Sequence, residues 1–223
     1  MLYNFLKSIN LSIPSFIERA TISKNEVCIY TKQCYLIKLM TFLKYYTNSQ
    51  FKQLSEITVV DFIDKEKRFE VVYILLSVRF NMRLIVKICV NELTSVPSIT
   101  KIFHSAGWAE REAWDMFGIF FTRNYDLRRI LTDYGFEGYP LRKDFPLSGY
   151  VEVRYDSSKN RVVCEPLEIT QEFRLFDFRS PWEKIPIKHK WEDDDYKPCR
   201  YIYLYPYTYT YTYKFKYKFK YTF

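Results

Sequence analysis

Residues 69–90 read FEVVYILLSVRFNMRLIVKICV, and this stretch decides the fold. Its first part, residues 69–76, is apolar and β-branched enough to predict a buried strand. Phe80 and Asn81 come next and are typical of a turn. Over residues 84–90 every second side chain is apolar, which is the pattern of a half-buried strand. The stretch therefore predicts two neighbouring antiparallel strands.

The residues before this stretch predict a helix and a further strand. Apolar side chains recur at three- and four-residue steps within residues 33–47, which places them on one face of a helix. They are Leu36, Leu39, Met40, Leu43 and Tyr46. Ile57, Val59 and Val60 then begin the β-rich region. The charged residues 64–68 that follow predict a solvated hairpin tip.

The residues after residue 90 predict two helices. Pro97 is suited to begin a short helix and Gly107 to end it. A second helix is expected over residues 108–117, ending at Gly118. Residues 1–122 are thus predicted to form an α+β domain with a small, mostly antiparallel sheet.

From residue 123 onward the apolar periodicity disappears. Residues 123–183 mix charged, aromatic, Gly and Pro residues, with a β-hairpin expected over residues 150–164. Such a segment buries too little of its own surface to offset the entropy lost on ordering. We therefore expect a long irregular arm that is ordered by wrapping a partner and is otherwise disordered. Residues 184–223 form a Tyr/Lys-rich extension, in which every odd position from residue 201 is Tyr or Phe.

Charge and composition restrict the classes of function. The net charge is +8, but five of these charges lie in residues 200–223, so the body is too weakly basic to indicate nucleic-acid binding. The five cysteines are scattered without a C-x-x-C pair, and there are only two histidines. We therefore predict no iron–sulfur cluster, zinc or haem in this chain. No apolar run is long enough for a spanning helix.

Two charged clusters are candidate functional sites. Glu110, Arg111, Glu112 and Asp115 could supply acid–base catalysts, but Arg111 lies one helical turn from Asp115 and is expected to keep it ionised. A charged helix face that pairs with itself or with a partner is favoured. Arg and Lys pairs farther along could bind phosphate, but no glycine-rich phosphate loop accompanies them.

Internal or interfacial ion pairs are therefore the favoured role of both clusters, with aromatic residues as further anchors. The predicted partner-interface residues are Glu110, Arg111, Glu112, Asp115, Asp126, Arg128, Arg129, Asp133, Arg142, Lys143, Asp144 and Trp182.

Four motifs carry a resemblance to a known family. They are EREAWDMFG at residues 110–118, DLRRIL at 126–131, TDYGFEG at 132–138 and PLRKDFPLSGY at 140–150. Together they resemble the signature of the 30-kilodalton subunit of respiratory complex I, especially its mitochondrially encoded form. The resemblance covers residues 33–183. Asn124-Tyr125 and Tyr139 depart from it, because the family usually has His-Pro and His there.

The resemblance implies a non-catalytic subunit of the peripheral arm of NADH:ubiquinone oxidoreductase, on the matrix face of the mitochondrial inner membrane. It implies contacts with the 49-kilodalton subunit and with the 20- and 23-kilodalton iron–sulfur subunits of the quinone-reducing module. The flavin (FMN) and the iron–sulfur clusters are expected in partner subunits, and the proton-pumping reaction from NADH to ubiquinone belongs to the assembly.

Two other functions remain open on the residues alone. The alternation of Tyr or Phe with Lys near the C-terminus could bind single-stranded nucleic acid by stacking and charge. A free hydrolase would have to use Glu110, Glu112 and Asp115.

Overall fold

The central hairpin predicted from residues 69–90 is present in the computed structural model, which describes residues 2–23, 26–169, 171, 174 and 176. Strand β4 spans Phe69–Ser77 and strand β5 spans Met82–Val90, and the two pair antiparallel. The turn between them passes through Asn81, whose φ of 45° lies in the left-handed region that Asn tolerates. Five consecutive residues of β4 from Phe69 are buried, so both faces of the sheet are covered at this strand.

Three further strands complete a five-stranded sheet. They are β1 (Arg19–Ser23), β2 (Glu26–Tyr30) and β3 (Gln53–Asp61), and the spatial order is β1-β2-β5-β4-β3. Within this five-stranded sheet, the β2–β5 pair is parallel and the other three pairs are antiparallel. The mostly antiparallel α+β fold predicted from the sequence is confirmed.

Three α-helices accompany the sheet in the described part of the chain: α1 (Leu2–Ser12), α2 (Leu36–Tyr45) and α3 (Ala106–Phe117). Four of the five residues predicted for the apolar face of α2 are buried and join Leu6 and Ile9 of α1 in the core, whereas Tyr46 follows the helix end and is half-buried. Helix α3 packs on β3. Because β3 is an edge strand, α3 lies at that edge of the sheet, and the arm follows α3 in the chain.

The helix expected between Pro97 and Gly107 does not form. Val96–Pro97 is instead a two-residue strand, β6, which pairs parallel with β7 at Phe121–Thr122. The Val96 amide donates to the Phe120 carbonyl, just before β7, and the Ser98 amide donates to the Thr122 carbonyl within β7. Pro97 has no N–H and lies between these two donors. Gly107 lies inside α3 rather than at a helix end.

Gly118 ends α3 as predicted. Its φ is 77°, and its amide donates to the Trp114 carbonyl at 2.9 Å. A Cβ at Gly118 would lie 2.7 Å from both the Tyr139 ring and the Arg142 guanidinium. The absent side chain therefore lets the arm approach the end of the helix closely.

Replacing Gly118 by Ala is expected to lower the free energy of unfolding by about 2 kcal/mol or more, because left-handed strain is added to a steric clash. Gly135→Ala is the matched control. Gly135 has a φ of 72° but no atom near its would-be Cβ, so only the strain is added. Urea denaturation of both variants measures the difference, and equal losses would show that the close approach at Gly118 is unimportant.

The hairpin expected over residues 150–164 is present as β8 (Val151–Asp156) and β9 (Arg161–Pro166). Trp182 and residues 184–223 lie outside the described residues, so the predictions for them stay predictions. The division of the chain at residues 122 and 183 likewise stays a prediction.

Candidate partner-binding site

Asp115, on the last full turn of α3, is fully buried and holds the start of the arm. Its Oδ2 accepts the backbone amides of Ile130, Leu131 and Thr132 at 3.1, 2.7 and 3.0 Å. Its Oδ1 accepts the Thr132 hydroxyl at 2.7 Å and an Arg129 Nη at 3.3 Å. One carboxylate therefore fixes three successive peptide units and a cation.

This environment keeps Asp115 ionised. Burial opposes the charge, but the Thr132 hydroxyl and the three amides outweigh it and place the pKa of Asp115 below its ordinary value. The cation beside it is Arg129, so the predicted pairing with Arg111 is wrong. Arg111 instead donates its Nε to the Arg128 carbonyl at 3.2 Å, and its guanidinium carbon lies 5.3 Å from the centre of the Trp108 ring.

Arg142 fixes the arm at the end of the same helix. Its Nε donates to the Phe117 carbonyl at 2.7 Å, and the Leu141 amide donates to the Met116 carbonyl at 3.1 Å. The guanidinium lies 4.5 Å from the centre of the Tyr139 ring, on the arm itself. These bonds satisfy carbonyls that the helix end leaves without intrahelical donors.

Arg68 forms a third attachment. Its Nε and Nη2 donate to both oxygens of buried Asp61 at 2.7 and 2.9 Å, and it also pairs with Glu92 and Asp144. The Lys143 amide donates to Asp61 Oδ2 at 3.0 Å. The hydrogen bond from Arg68 is the main reason that the pKa of Asp61 is lowered. Arg68 is largely buried and is therefore not part of the solvated tip predicted for residues 64–68, although residues 64–67 are exposed.

The arm is thus ordered in part by its own domain. The sequence predicts that residues 123–183 find their support only on a partner, and this expectation is wrong for residues 129–144. The support escaped the periodicity argument because it comes from polar groups: a buried carboxylate, an arginine at a helix end and an arginine–carboxylate cluster. Each replaces apolar burial with hydrogen bonds to charged groups, which are stronger than neutral ones.

Glu110 lies in the interior and not on a charged surface. Its Oε1 accepts the Ile99 amide and its Oε2 accepts the Asn124 side-chain amide, both at 2.9 Å. Burial raises the pKa of Glu110, and the Ser98, Ile99 and Asn124 hydrogen bonds offset this only partly. The Glu110 carboxylate therefore connects the loop after β6 to the start of the arm. Asn124, which departs from the family pattern, supplies the donor to Glu110 at this place.

The raised pKa of Glu110 makes a pH prediction. Glu110 binds its proton more tightly in the folded chain than in the unfolded chain. Lowering the pH from neutral through the folded pKa of Glu110 therefore stabilises the fold, until the pH reaches the lower pKa that Glu110 has in the unfolded chain. Glu110→Gln lacks this titration. Wild-type stability is expected to rise relative to Glu110→Gln between pH 7 and about 4.5, measured by urea denaturation. A stability difference between the two that does not change over this range would contradict the assignment.

The other predicted interface residues are dispersed. Asp126 and Arg128 form an exposed pair at 2.9 Å, Asp133 is exposed and accepts the Tyr134 amide, and Glu112 is exposed. Exposed pairs of this kind contribute little to stability. Glu112 and Asp115 do not share a pocket, since one faces solvent and the other is sealed under the arm.

The arm also exposes apolar side chains that were not among the predicted interface residues. They are Leu131, Tyr134, Leu141, Leu147 and Tyr150, followed on β8 by Val151, Val153 and Tyr155. Cross-strand pairing places Val151, Val153 and Tyr155 on one face of the hairpin with Pro166, Cys164 and Val162. The sequence does contain a signal for this face, because apolar and charged residues alternate over residues 151–155.

Among the described residues, no three His, Cys, Asp or Glu side chains come together as a group that could hold a metal ion. No helix within the described ranges has the length and apolar character needed to cross a membrane.

An α+β domain that fastens an arm and turns its apolar side chains outward defines the class of protein that works as a subunit of a larger assembly. The chain belongs to the family described as the respiratory-chain NADH dehydrogenase 30 Kd subunit, whose model matches residues 29–151. This confirms the resemblance seen in the motifs of residues 110–150.

Individual relatives agree with this family. The chain is 59% identical over 187 residues to NADH-ubiquinone oxidoreductase subunit 9 of Reclinomonas americana, covering 82% of this chain and 92% of that protein. It is 57% identical over 181 residues to NADH dehydrogenase [ubiquinone] iron-sulfur protein 3 of Marchantia polymorpha, covering 81% and 93%. Among solved structures, a chain of the membrane-bound sulfane sulfur reductase, an archaeal respiratory membrane complex, matches with a TM-score of 0.56 and 25% identity, covering 65% of this chain and 85% of that one.

Proposed function

We propose that this chain is a non-catalytic structural subunit of the peripheral arm of proton-pumping NADH:ubiquinone oxidoreductase. It supports electron transfer from NADH to ubiquinone by holding neighbouring subunits of the quinone-reducing module in place. The observation that carries the proposal is the fastened arm, which is fixed at Asp115, Arg142 and Arg68 while its apolar side chains point to solvent. A rigid, pre-ordered surface costs less entropy to dock than a flexible one.

The state of the carboxylates supports a structural role. Both carboxylate oxygens of Asp115 and of Glu110 accept hydrogen bonds from groups of this chain. The Asp61 carboxylate accepts hydrogen bonds from Arg68 and from a backbone amide. A general acid or base must instead reach the proton of a substrate. The charges of this region therefore serve to place the backbone.

The proposal includes a location and partners. We place the chain in the mitochondrion, on the matrix side of the inner membrane, attached through the 49-kilodalton subunit and the 20- and 23-kilodalton iron–sulfur subunits. FMN and the iron–sulfur clusters would be held by those and other subunits. The name of the relative in Neurospora crassa, a mitochondrial 30.4 kDa subunit of NADH-ubiquinone oxidoreductase, supports the mitochondrial location.

Native gel electrophoresis of solubilised mitochondrial membranes tests the proposal. The wild-type chain is expected to migrate with a very large assembly that oxidises NADH. The proposal would be contradicted if the NADH-oxidising assembly were present without this chain and the chain were recovered only as a small species.

A surface variant sharpens this test. Leu131→Ser with Tyr134→Ser removes two exposed apolar side chains from the arm, and we expect at least about a tenfold loss of incorporation, as for an interface anchor. The matched control is Val78→Ser, which removes an exposed apolar side chain from the β4–β5 turn. Equal incorporation of the two variants would show that the arm is not the docking surface.

A further inference from the structure

Arg111 is a cation that has no anion beside it among the described residues, although most of its side chain is buried. Its side chain is on α3, and the residue is only 9% exposed. Its Nε donates to the Arg128 carbonyl, and its guanidinium carbon lies 5.3 Å from the centre of the Trp108 ring. Within the described residues no carboxylate lies within ion-pair distance of it, and its two terminal nitrogens have no hydrogen-bond acceptor.

The terminal nitrogens of Arg111 keep contact with solvent through the cavity that the side chain lines. A partner that covered them would have to supply a compensating charge or several hydrogen bonds. The planar guanidinium offers two terminal nitrogens side by side, which match the two oxygens of a carboxylate. The Trp108 ring and the Arg128 carbonyl leave the two terminal nitrogens without a hydrogen-bond partner within the part of the chain that the structure describes. Arg111 is therefore free to bind an anion through these two nitrogens.

The Arg111 side chain lines a cavity of about 270 Å³ that is open to solvent. Trp108, 71% exposed, and Tyr125, 82% exposed, border it, and His104, Asn124 and Asp126 also contribute. One cation beside two exposed aromatic rings is suited to a single acidic side chain of another polypeptide.

We propose that this cavity is a socket for an Asp or Glu side chain of a neighbouring subunit, whose carboxylate pairs with Arg111 while Trp108 and Tyr125 cover it. The proposal rests on the proposed function, because it requires an assembly. Trp, Tyr and Arg are the residue types that dominate binding energy at protein interfaces. Once the side chain is seated, these two rings exclude water from the ion pair, which strengthens it.

The charges around the cavity favour a single carboxylate over a phosphate. The Asp126 carboxylate lines the same space, and although Arg128 Nε holds it at 2.9 Å, its charge would repel a dianion. A phosphorylated or lipid ligand would also require further cations. Arg111 is the one Lys or Arg side chain among the described residues that line the cavity.

Carbodiimide cross-linking of the assembled complex identifies the occupant. In Arg111→Lys the amine can condense with a carboxylate that it pairs with, forming an amide, while the carbodiimide takes up the water as a urea. Mass spectrometry is expected to find residue 111 joined to an Asp or Glu of another subunit. The control is Arg128→Lys, which is expected to join Asp126 of its own chain. Linkage of residue 111 only within its own chain, or recovery of a bound phospholipid with no such linkage, would overturn the proposal.

A second variant covers the case in which Arg111→Lys assembles poorly. Arg111→Met keeps most of the side-chain volume and removes the charge. Incorporation is expected to fall at least about tenfold, while the unfolding midpoint of the full chain falls only slightly, because the guanidinium forms a single hydrogen bond with the described residues of its own chain. Normal incorporation, or destabilisation of the chain equal to the loss of assembly, would overturn the socket. Failure of the wild-type chain to enter the assembly would instead defeat the proposed function.

Discussion

Replacing Asp115 by Ala is expected to lower the free energy of unfolding of the full chain by about 3–5 kcal/mol, the range for breaking a buried charge network. The change leaves three backbone amides at residues 130–132, the Thr132 hydroxyl and the Arg129 guanidinium without their shared acceptor. Unsatisfied groups of this kind keep their full desolvation cost. Urea denaturation measures the loss.

Two control variants separate this network from charge alone. Asp115→Asn can keep an oxygen toward the three amides but turns an NH2 group toward Arg129 and Thr132, so its loss should be intermediate. Asp133→Ala removes an exposed carboxylate from the same segment and should change stability by no more than about 0.5 kcal/mol. A loss below about 1 kcal/mol in Asp115→Ala would show that the arm is not held by this carboxylate.

The second large effect is expected at Arg68. Arg68→Met leaves the buried Asp61 carboxylate without its cation and frees Asp144, so we expect a loss of about 3–5 kcal/mol at neutral pH. Because the pKa of Asp61 is lowered in the folded state, the stability linked to it is present above the ordinary Asp value and disappears as the pH falls through the folded pKa. The difference between wild type and variant should shrink below about pH 4, near the ordinary Asp pKa.

Arg79→Met is the matched control, because Arg79 is exposed in the β4–β5 turn and forms no ion pair with the described residues. Its stability should stay within about 0.5 kcal/mol of the wild type. Similar losses in both variants would indicate a general effect of removing positive charge and would contradict a specific Asp61 cluster. Thermal or urea unfolding at pH 7 and pH 3.5 supplies both comparisons.

Local patterns explain why part of the fold could be predicted. The apolar run at residues 71–76 is typical of a strand that is covered on both faces. The alternation of β5 follows the two-residue strand period, and the face of α2 follows the helical period. Gly118 could be assigned to a helix end because few other residues adopt its φ without strain. The β8–β9 hairpin follows from alternation around a polar turn. Each of these signals lies within a few residues of the structure that it predicts.

The attachments of the arm could not be predicted because they join distant residues. Helical spacing favours Arg111 as the partner of Asp115, but the actual partner, Arg129, lies 14 positions from the carboxylate and reaches it through a loop. The charged neighbours of Arg68 in sequence indicate a solvated connector, although Arg68 contacts residue 144, 76 positions away. A charge pattern shows which residues can pair, but not which pairs the fold brings together.

The error at Pro97 and the lack of a prediction for β1 and β2 have a similar origin. Pro97 is compatible with a helix start and with a short edge strand, and pairing with β7 decided between them. Strands β1 and β2 are five residues each and mix charged with apolar residues, so neither period stands out. Their place in the sheet depends on the parallel contact of β2 with β5.

Hydrogen exchange at the backbone amides of residues 130–132 tests most directly whether the folded domain itself fastens the arm. In the full wild-type chain, mass spectrometry should show these amides protected against exchange, and Asp115→Ala should release them while the β4 amides stay protected. Exchange of the three amides at the rate of an unstructured peptide in the wild-type chain, with β4 still protected, would contradict the account.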